Sequence, residues 1–168
     1  MKRIIILTAL FLILLPVIQT KAKTKIPEPT FEETIQAMIQ EHRILMDRLI
    51  AAWEHRKEEI NLLAEVIYWE NWHTDKEHLA AYYTGAVVMN RVNSKEWPDT
   101  VKKVLYQKGQ YSTTKLFFTK EIPEECYEMA RDIYRNGTPE VPANVIFQAM
   151  RPLGKTWKKV NTDYFCYG

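Results

Sequence analysis

The chain has 168 residues, with 23 Lys+Arg against 21 Asp+Glu, and 46% of its residues are hydrophobic. That length suits one ordinary domain with a single core, and the near-neutral balance argues against a nucleic-acid partner read from net charge. No G-x-S-x-G, P-loop or G-x-G-x-x-G stretch is present, which leaves carboxylate chemistry as the favoured kind if the chain is an enzyme.

The first 22 residues read as a secretory leader. Lys2-Arg3 precede a run from Ile4 to Leu15 in which only Thr8 is polar, and Pro16 breaks it. A spanning helix would need about 18 or more apolar residues. Thr20 and Ala22 supply small residues for cleavage, and an uncleaved anchor is the alternative. Without Lys2, Arg3 and Lys21 the balance becomes 20 basic against 21 acidic, or −1. Charge is uneven beyond that. Residues 76–120 carry eight Lys/Arg against Glu77, Glu96 and Asp99, and residues 23–65 carry six basic against nine acidic. The basic middle either attracts an anionic polymer or is a solvated face.

Pro27 and Pro29 mark residues 23–30 as a linker. Residues 31–58 form a long helical pattern in which Phe31, Ile35, Met38, Leu45, Leu49 and Trp53 recur near helical spacing. This helix either packs on the domain or serves as a stalk for a protein partner. Asn61 is a candidate N-cap for a second helix, with residues 59–168 as the domain proper. Leu79 to Val92 is rich in small residues and reads as a central helix. Pro98-Asp99-Thr100 opens a short helix through Tyr106, and Gly109 turns the chain into Gln110-Tyr111-Ser112. Pro123 opens another helix that stops at Asn136-Gly137. Val145–Ala149 and Tyr164–Tyr167 read as short strands among Pro139, Pro142 and Pro152. The expected fold is mainly α (α+β), a helical domain with a small β or irregular C-terminal part.

Glu70 stands out within this pattern. At about 100° per residue it shares a helix face with Leu63, Val66 and Ile67, while Glu65 falls on the opposite face. A carboxylate on an apolar face has its pKa raised, as a general acid requires. The other reading is a residue at the edge of the stripe that reaches water or pairs with a core arginine.

Other constellations are weaker. His73, Asp75, Glu77 and His78 do not follow metal-ligand spacing, so neither a metal nor another cofactor is expected. Cys126 lies among Glu124, Glu125 and Glu128, which disfavours a thiolate. With Cys166 it forms either a disulfide or a pair of buried thiols. The loop Gln110-Tyr111-Ser112 has the polar-aromatic character that can hold a sugar.

Taken together, LLAEVIYWEN, GAVVMNRVNS, EWPDTVKKVLYQKGQYS and the terminal YFC resemble the SleB-type cell wall hydrolase family over about residues 60–168. The resemblance implies a lysozyme-like, mainly helical fold that cuts peptidoglycan between N-acetylmuramic acid and N-acetylglucosamine, usually as a lytic transglycosylase. It places the catalytic glutamate at Glu70. It also implies substrate contacts from Tyr68, Gln110, Tyr111, Ser112, Phe147 and Tyr164, and a structural role for Asn90 and Arg91, with Arg91 pairing a helix carboxylate. Two features depart from the family pattern. The family's A-R-G-E stretch is replaced by Asn71 to Glu77, so whether Glu77 serves as a second carboxylate is open. The F-Y-N-P stretch has become Ile146-Phe147-Gln148-Ala149. These departures leave a non-catalytic peptidoglycan-binding or assembly protein as the alternative. The expected location is extracytoplasmic, with the membrane touched only through an uncleaved leader.

Overall fold

A computed structural model describes residues 29–168. The leader over 1–22 and most of the 23–30 linker lie outside the described residues. The elements in chain order are α1 (Phe31–Asn71), α2 (Leu79–Val92), α3 (Val101–Leu105), a 3-10 turn (Ser112–Leu116), α4 (Glu124–Asn136), β1 (Val145–Ala149), β2 (Thr156–Val160) and β3 (Asp163–Tyr167). Among the described residues no helix is long and apolar enough to cross a membrane.

α1 opens with a capping box. Thr30 Oγ1 accepts from the Glu33 N–H at 3.2 Å, and the Glu33 carboxylate accepts from the Thr30 N–H at 2.7 Å. The described residues divide between Leu45 and Met46 into two units. In the first, Phe31, Ile35, Met38 and Leu45 are exposed, as are Leu49 and Trp53 early in the second.

The expected helix start at Asn61 is not found. α1 runs on through it to Asn71, because no Gly or Pro interrupts residues 51–71 and an interior Asn costs a helix only a fraction of a kcal/mol. Nor does Glu65 face water. It is 1% exposed, and its carboxylate accepts from the Trp69 indole N–H at 2.9 Å. From Glu59 onward α1 is covered on nearly every side, so an argument that assumes one wet face fails there.

α2 is the second central helix. A Cβ on Gly85 would lie 2.7 Å from Ile133 Cδ1 of α4 and 3.1 Å from Ile67 Cδ1 of α1, so the small residue sets how closely the three helices approach. Leu63, Val66, Ile67, Val88, Val104, Leu105 and Ile133 belong to the resulting core. The other side of α2 packs Ala80, Tyr83, Ala86 and Val87 against Val145 and Phe165 of the sheet. Asn90 fixes that contact by donating to the Pro142 and Val145 carbonyls, both at 3.0 Å.

The sheet has the antiparallel order β1-β3-β2. β1 and β3 fall where the strand pattern predicts. β2 was not anticipated, since Thr156-Trp157-Lys158-Lys159-Val160 is a largely exposed edge strand with no apolar run. Cys126 and Cys166 are free and buried, which resolves the cysteine alternatives in favour of thiols. Burial pushes the Cys126 thiol up to about 12.

Glu59 has a structural task. Only 3% exposed, it accepts from the N–H groups of Val101 at 2.7 Å and Lys102 at 3.2 Å, filling the start of α3 beside the Thr100 cap. Glu59→Ala leaves the buried Val101 donor unpaired and should lower stability by about 1–3 kcal/mol, read as a shifted urea midpoint. Glu58→Ala, which removes only an exposed ion pair with Lys102, should leave the midpoint nearly where it is.

Candidate active site

Three glutamates lie along the last part of α1, and their surroundings separate them. Glu59 caps α3 and Glu65 is held by Trp69. Glu70, one residue before the helix ends, borders a cavity of ≈ 120 Å³ with Arg91, Gln110, Tyr111, Gln148, Ala149, Met150 and Asp163. Larger hollows exist, among them one of ≈ 400 Å³ at Trp53, Lys57, Tyr106 and Phe118, but its carboxylates, Glu54 and Glu58, are exposed. The Glu70 cavity is smaller, yet it joins a partly buried carboxyl to polar groups from four separate parts of the chain.

Each wall has a local cause. The end of α1 presents Glu70, and the end of α2 presents Arg91. Gly109, at φ 83, takes a left-handed turn that a side chain would strain and delivers Gln110 and Tyr111. The 3-10 turn brings Thr113 over Glu70, and its hydroxyl donates to Glu70 Oε1 at 2.5 Å. β1 supplies Gln148. Asn161, at φ 52, turns the chain between β2 and β3 so that β3 begins with Asp163 at the cavity.

Arg91 organises one side of this cavity. It is 3% exposed. Its Nε donates to the Ile146 carbonyl at 2.7 Å, and one terminal nitrogen donates to Gln110 Oε1 at 3.0 Å and to the Tyr111 hydroxyl at 3.5 Å. The guanidinium also lies 4.3 Å from the Trp97 ring centre and 5.5 Å from that of Tyr111. The expected carboxylate partner is absent among the described residues. A carbonyl, an amide, a hydroxyl and two ring faces take its place. The bond to Gln110 Oε1 leaves the Gln110 NH₂ to donate elsewhere.

The other anticipated residues divide. Gln110 and Tyr111 border the cavity with Glu70. Tyr68 does not: it is 6% exposed, its ring packs against Trp69 and His73, and Lys120 Nζ lies 4.7 Å from its centre. Ser112 is exposed at the head of the 3-10 turn. Phe147 packs edge-on to Trp97. Tyr164 pairs with Ala149 on β1 and sits under Lys159. Glu77 is exposed in the turn before α2 and does not line the cavity; Asp163 does. Nearby Asp75 is a helix cap, accepting from the Leu79 and Ala80 N–H groups, and His78 stacks on Trp72 at 3.7 Å. Among the described residues no group of three or more His, Cys, Asp or Glu could hold a metal.

Sequence reasoning missed Thr113, Gln148 and Asp163. A signal existed for the last. Asp163 directly precedes the strand expected over Tyr164–Tyr167 and, two residues before the buried Phe165, would share its face if the strand began one residue earlier, as it does. Gln148 and Thr113 carry no comparable signal.

Burial raises the pKa of Glu70 from its ordinary value of 4.5. The Thr113 hydrogen bond opposes that rise, and the nearby charge of Asp163 adds to it. Such a carboxyl holds its proton into a pH range where an ordinary glutamate has lost it.

The family model described as Cell Wall Hydrolase matches residues 75–165. The catalytic domain of the Bacillus cereus SleB protein has a similar fold, with a TM-score of 0.54 and 20% sequence identity over 66% of this chain and 90% of that one. No curated protein sequence matches the chain. The family match begins after Glu70, so the case for Glu70 rests on its surroundings.

A folded-state pKa raised above the unfolded one stabilises the fold at low pH, and that contribution is lost as pH rises through the folded value. Glu70→Gln is neutral throughout and keeps an acceptor for Thr113. Its melting temperature should match wild type near pH 4, exceed it increasingly as the pH rises through the folded value of Glu70, and keep a constant excess above that, by about 2–4 °C for each kcal/mol. A difference independent of pH contradicts this.

Proposed function

The chain belongs to the cell wall hydrolase family, and from that premise we propose that it cleaves the glycan strands of peptidoglycan between N-acetylmuramic acid and N-acetylglucosamine, as a lytic transglycosylase. The observation that carries the reading is the Glu70 carboxyl, partly buried, held at one oxygen by Thr113 and bordering a polar cavity.

Protonated Glu70 donates to the bridging glycosidic oxygen as the bond from the muramic acid C1 to that oxygen breaks. The muramic acid 6-hydroxyl then attacks C1 and gives its proton to the Glu70 carboxylate, which closes a 1,6-anhydro ring and restores the acid. One carboxylate serves both steps. The Thr113 hydroxyl fixes Oε1, so Oε2 is the oxygen left for the substrate. Gln110, held by Arg91 through its carbonyl end, offers its NH₂ to sugar hydroxyls or an acetamido oxygen. Such a substrate lies outside the cytoplasmic membrane, which agrees with the expected leader and an extracytoplasmic location.

Purified protein incubated with sacculi should release anhydro-muropeptides, identified by mass spectrometry. Glu70→Gln should lower that release by at least about 10²-fold, the lower end of what acid–base catalysis contributes. Thr113→Val should retain activity but shift the basic limb of the pH–rate profile upward, since the lost hydrogen bond favours the ionised carboxylate. Binding to sacculi without release, unchanged by Glu70→Gln, would sink the enzymatic reading in favour of a binding or assembly protein.

A further inference from the structure

Transglycosylation needs one carboxylate, yet the cavity holds two. Glu70 enters from α1 and Asp163 from the first residue of β3. No hydrogen bond joins them, and no described side chain donates to Asp163. Beside them lies an unusual group: Gln148 Oε1 is buried and has no hydrogen-bond partner. Buried polar atoms are seldom left so. Glu70 Oε1 is already taken by Thr113. The unmet capacity is therefore that of acceptors, on Asp163 and Gln148, and it calls for a small ligand rich in O–H donors.

Water fits that description. A volume of ≈ 120 Å³ far exceeds the ~10–15 Å³ that one water molecule requires. A water that donates one O–H to Gln148 Oε1 and the other to Asp163 would keep its lone pairs for attack. Substrate would meet it beside Glu70, whose carboxyl borders the same space.

We propose that Asp163 is a second catalytic residue, a general base that takes a proton from a water held on Gln148 Oε1 and so opens a hydrolytic route beside the anhydro-forming one. The inference rests on the reading of Glu70 as the acid that protonates the bridging oxygen. In the hydrolytic step the water oxygen bonds to C1 of muramic acid, and the bond from C1 to the bridging oxygen breaks. The leaving oxygen keeps that electron pair and receives the Glu70 proton, while the proton lost by water goes to Asp163. Asp163 then releases its proton to solvent and Glu70 regains one. The net reaction is glycoside plus water to a reducing end and a free hydroxyl. A carboxylic acid and a carboxylate with water between them is the arrangement by which inverting glycosidases work.

The test is the ratio of products. Sacculi digested in ¹⁸O-water by the full chain should yield both anhydro ends and ¹⁸O-labelled reducing ends. Asp163→Asn should lower the ratio of reducing to anhydro ends by about 10²-fold, as loss of a general base predicts. Gln148→Leu should move the ratio the same way. Asp163→Ala with added azide should give a glycosyl azide, a product that no purely structural role accounts for. A wild type that makes anhydro ends only, or a ratio unmoved by Asp163→Asn, overturns the inference. If Asp163→Asn abolishes both products together, Gln148→Leu decides: a lowered ratio supports the water site and an unchanged ratio overturns it. Persistence of either product in Glu70→Gln instead overturns the underlying reading of Glu70. Loss of both products there, with an unmoved ratio in Asp163→Asn, removes the Asp163 step alone.

Discussion

Arg91 is a buried cation with no carboxylate to meet it among the described residues, and the site depends on how that charge is satisfied. Burying an unpaired guanidinium is costly. The cost is met here by the Ile146 carbonyl, the Gln110 amide, the Tyr111 hydroxyl and the faces of Trp97 and Tyr111. Each of these partners must therefore stay in place, and each belongs to a different segment from Arg91 itself. The end of α2 is thus tied at once to β1 and to the loop after Gly109. Had the arginine found a carboxylate, it would have drawn negative charge toward one wall of the cavity. Satisfied by neutral groups, it leaves both cavity carboxylates free of an ion pair.

That arrangement bears on the proton of Glu70. A neighbouring guanidinium bonded directly to the carboxyl would favour ionisation, the opposite of what an acid at neutral pH needs. Glu70 instead meets a single hydroxyl, a small volume and a second negative charge. Glu59 and Glu65, on the same helix and more deeply buried, show the contrast. Both Glu59 oxygens accept from backbone N–H groups and one Glu65 oxygen accepts from an indole N–H, and at 3% and 1% exposure neither residue is open to a ligand.

Much of the fold was legible in the sequence because its signals were local. Small residues marked α2 as central, Pro123 and Gly137 bracketed α4, and Thr100 capped α3. What misled was the assumption that a helix has a dry face and a wet one. It put Glu65 in water, and the capping preference of asparagine suggested a helix start at Asn61, where the helix simply continues. β2 escaped because an exposed edge strand has no apolar alternation to display. In the site, Glu70 shows an apolar helix face and Gln110-Tyr111 a glycine turn, but it is their place in the family-like series of segments that singles them out, and the structure brings the three to one cavity. Tyr68, Phe147 and Tyr164 looked equally suited to a sugar, and only packing shows that their rings border neighbouring side chains and not the cavity. Thr113 and Gln148 depend on how a 3-10 turn comes to rest over Glu70 and how a bulged strand packs beside α2, which nearby residues do not encode.

The strand order β1-β3-β2 has a consequence for the timing of assembly. The middle strand is the last of the three to be synthesised, so β1 and β2 have no partner until β3 arrives between them. β3 also carries Asp163, and its pairing seats Gln148 opposite Phe165. The outer wall of the cavity therefore forms together with the sheet and not before it. Until β3 is in place, the cavity beside Glu70 lacks Asp163 and the pairing that seats Gln148. In a chain of the cell wall hydrolase family, closure of the sheet and enclosure of the site therefore coincide.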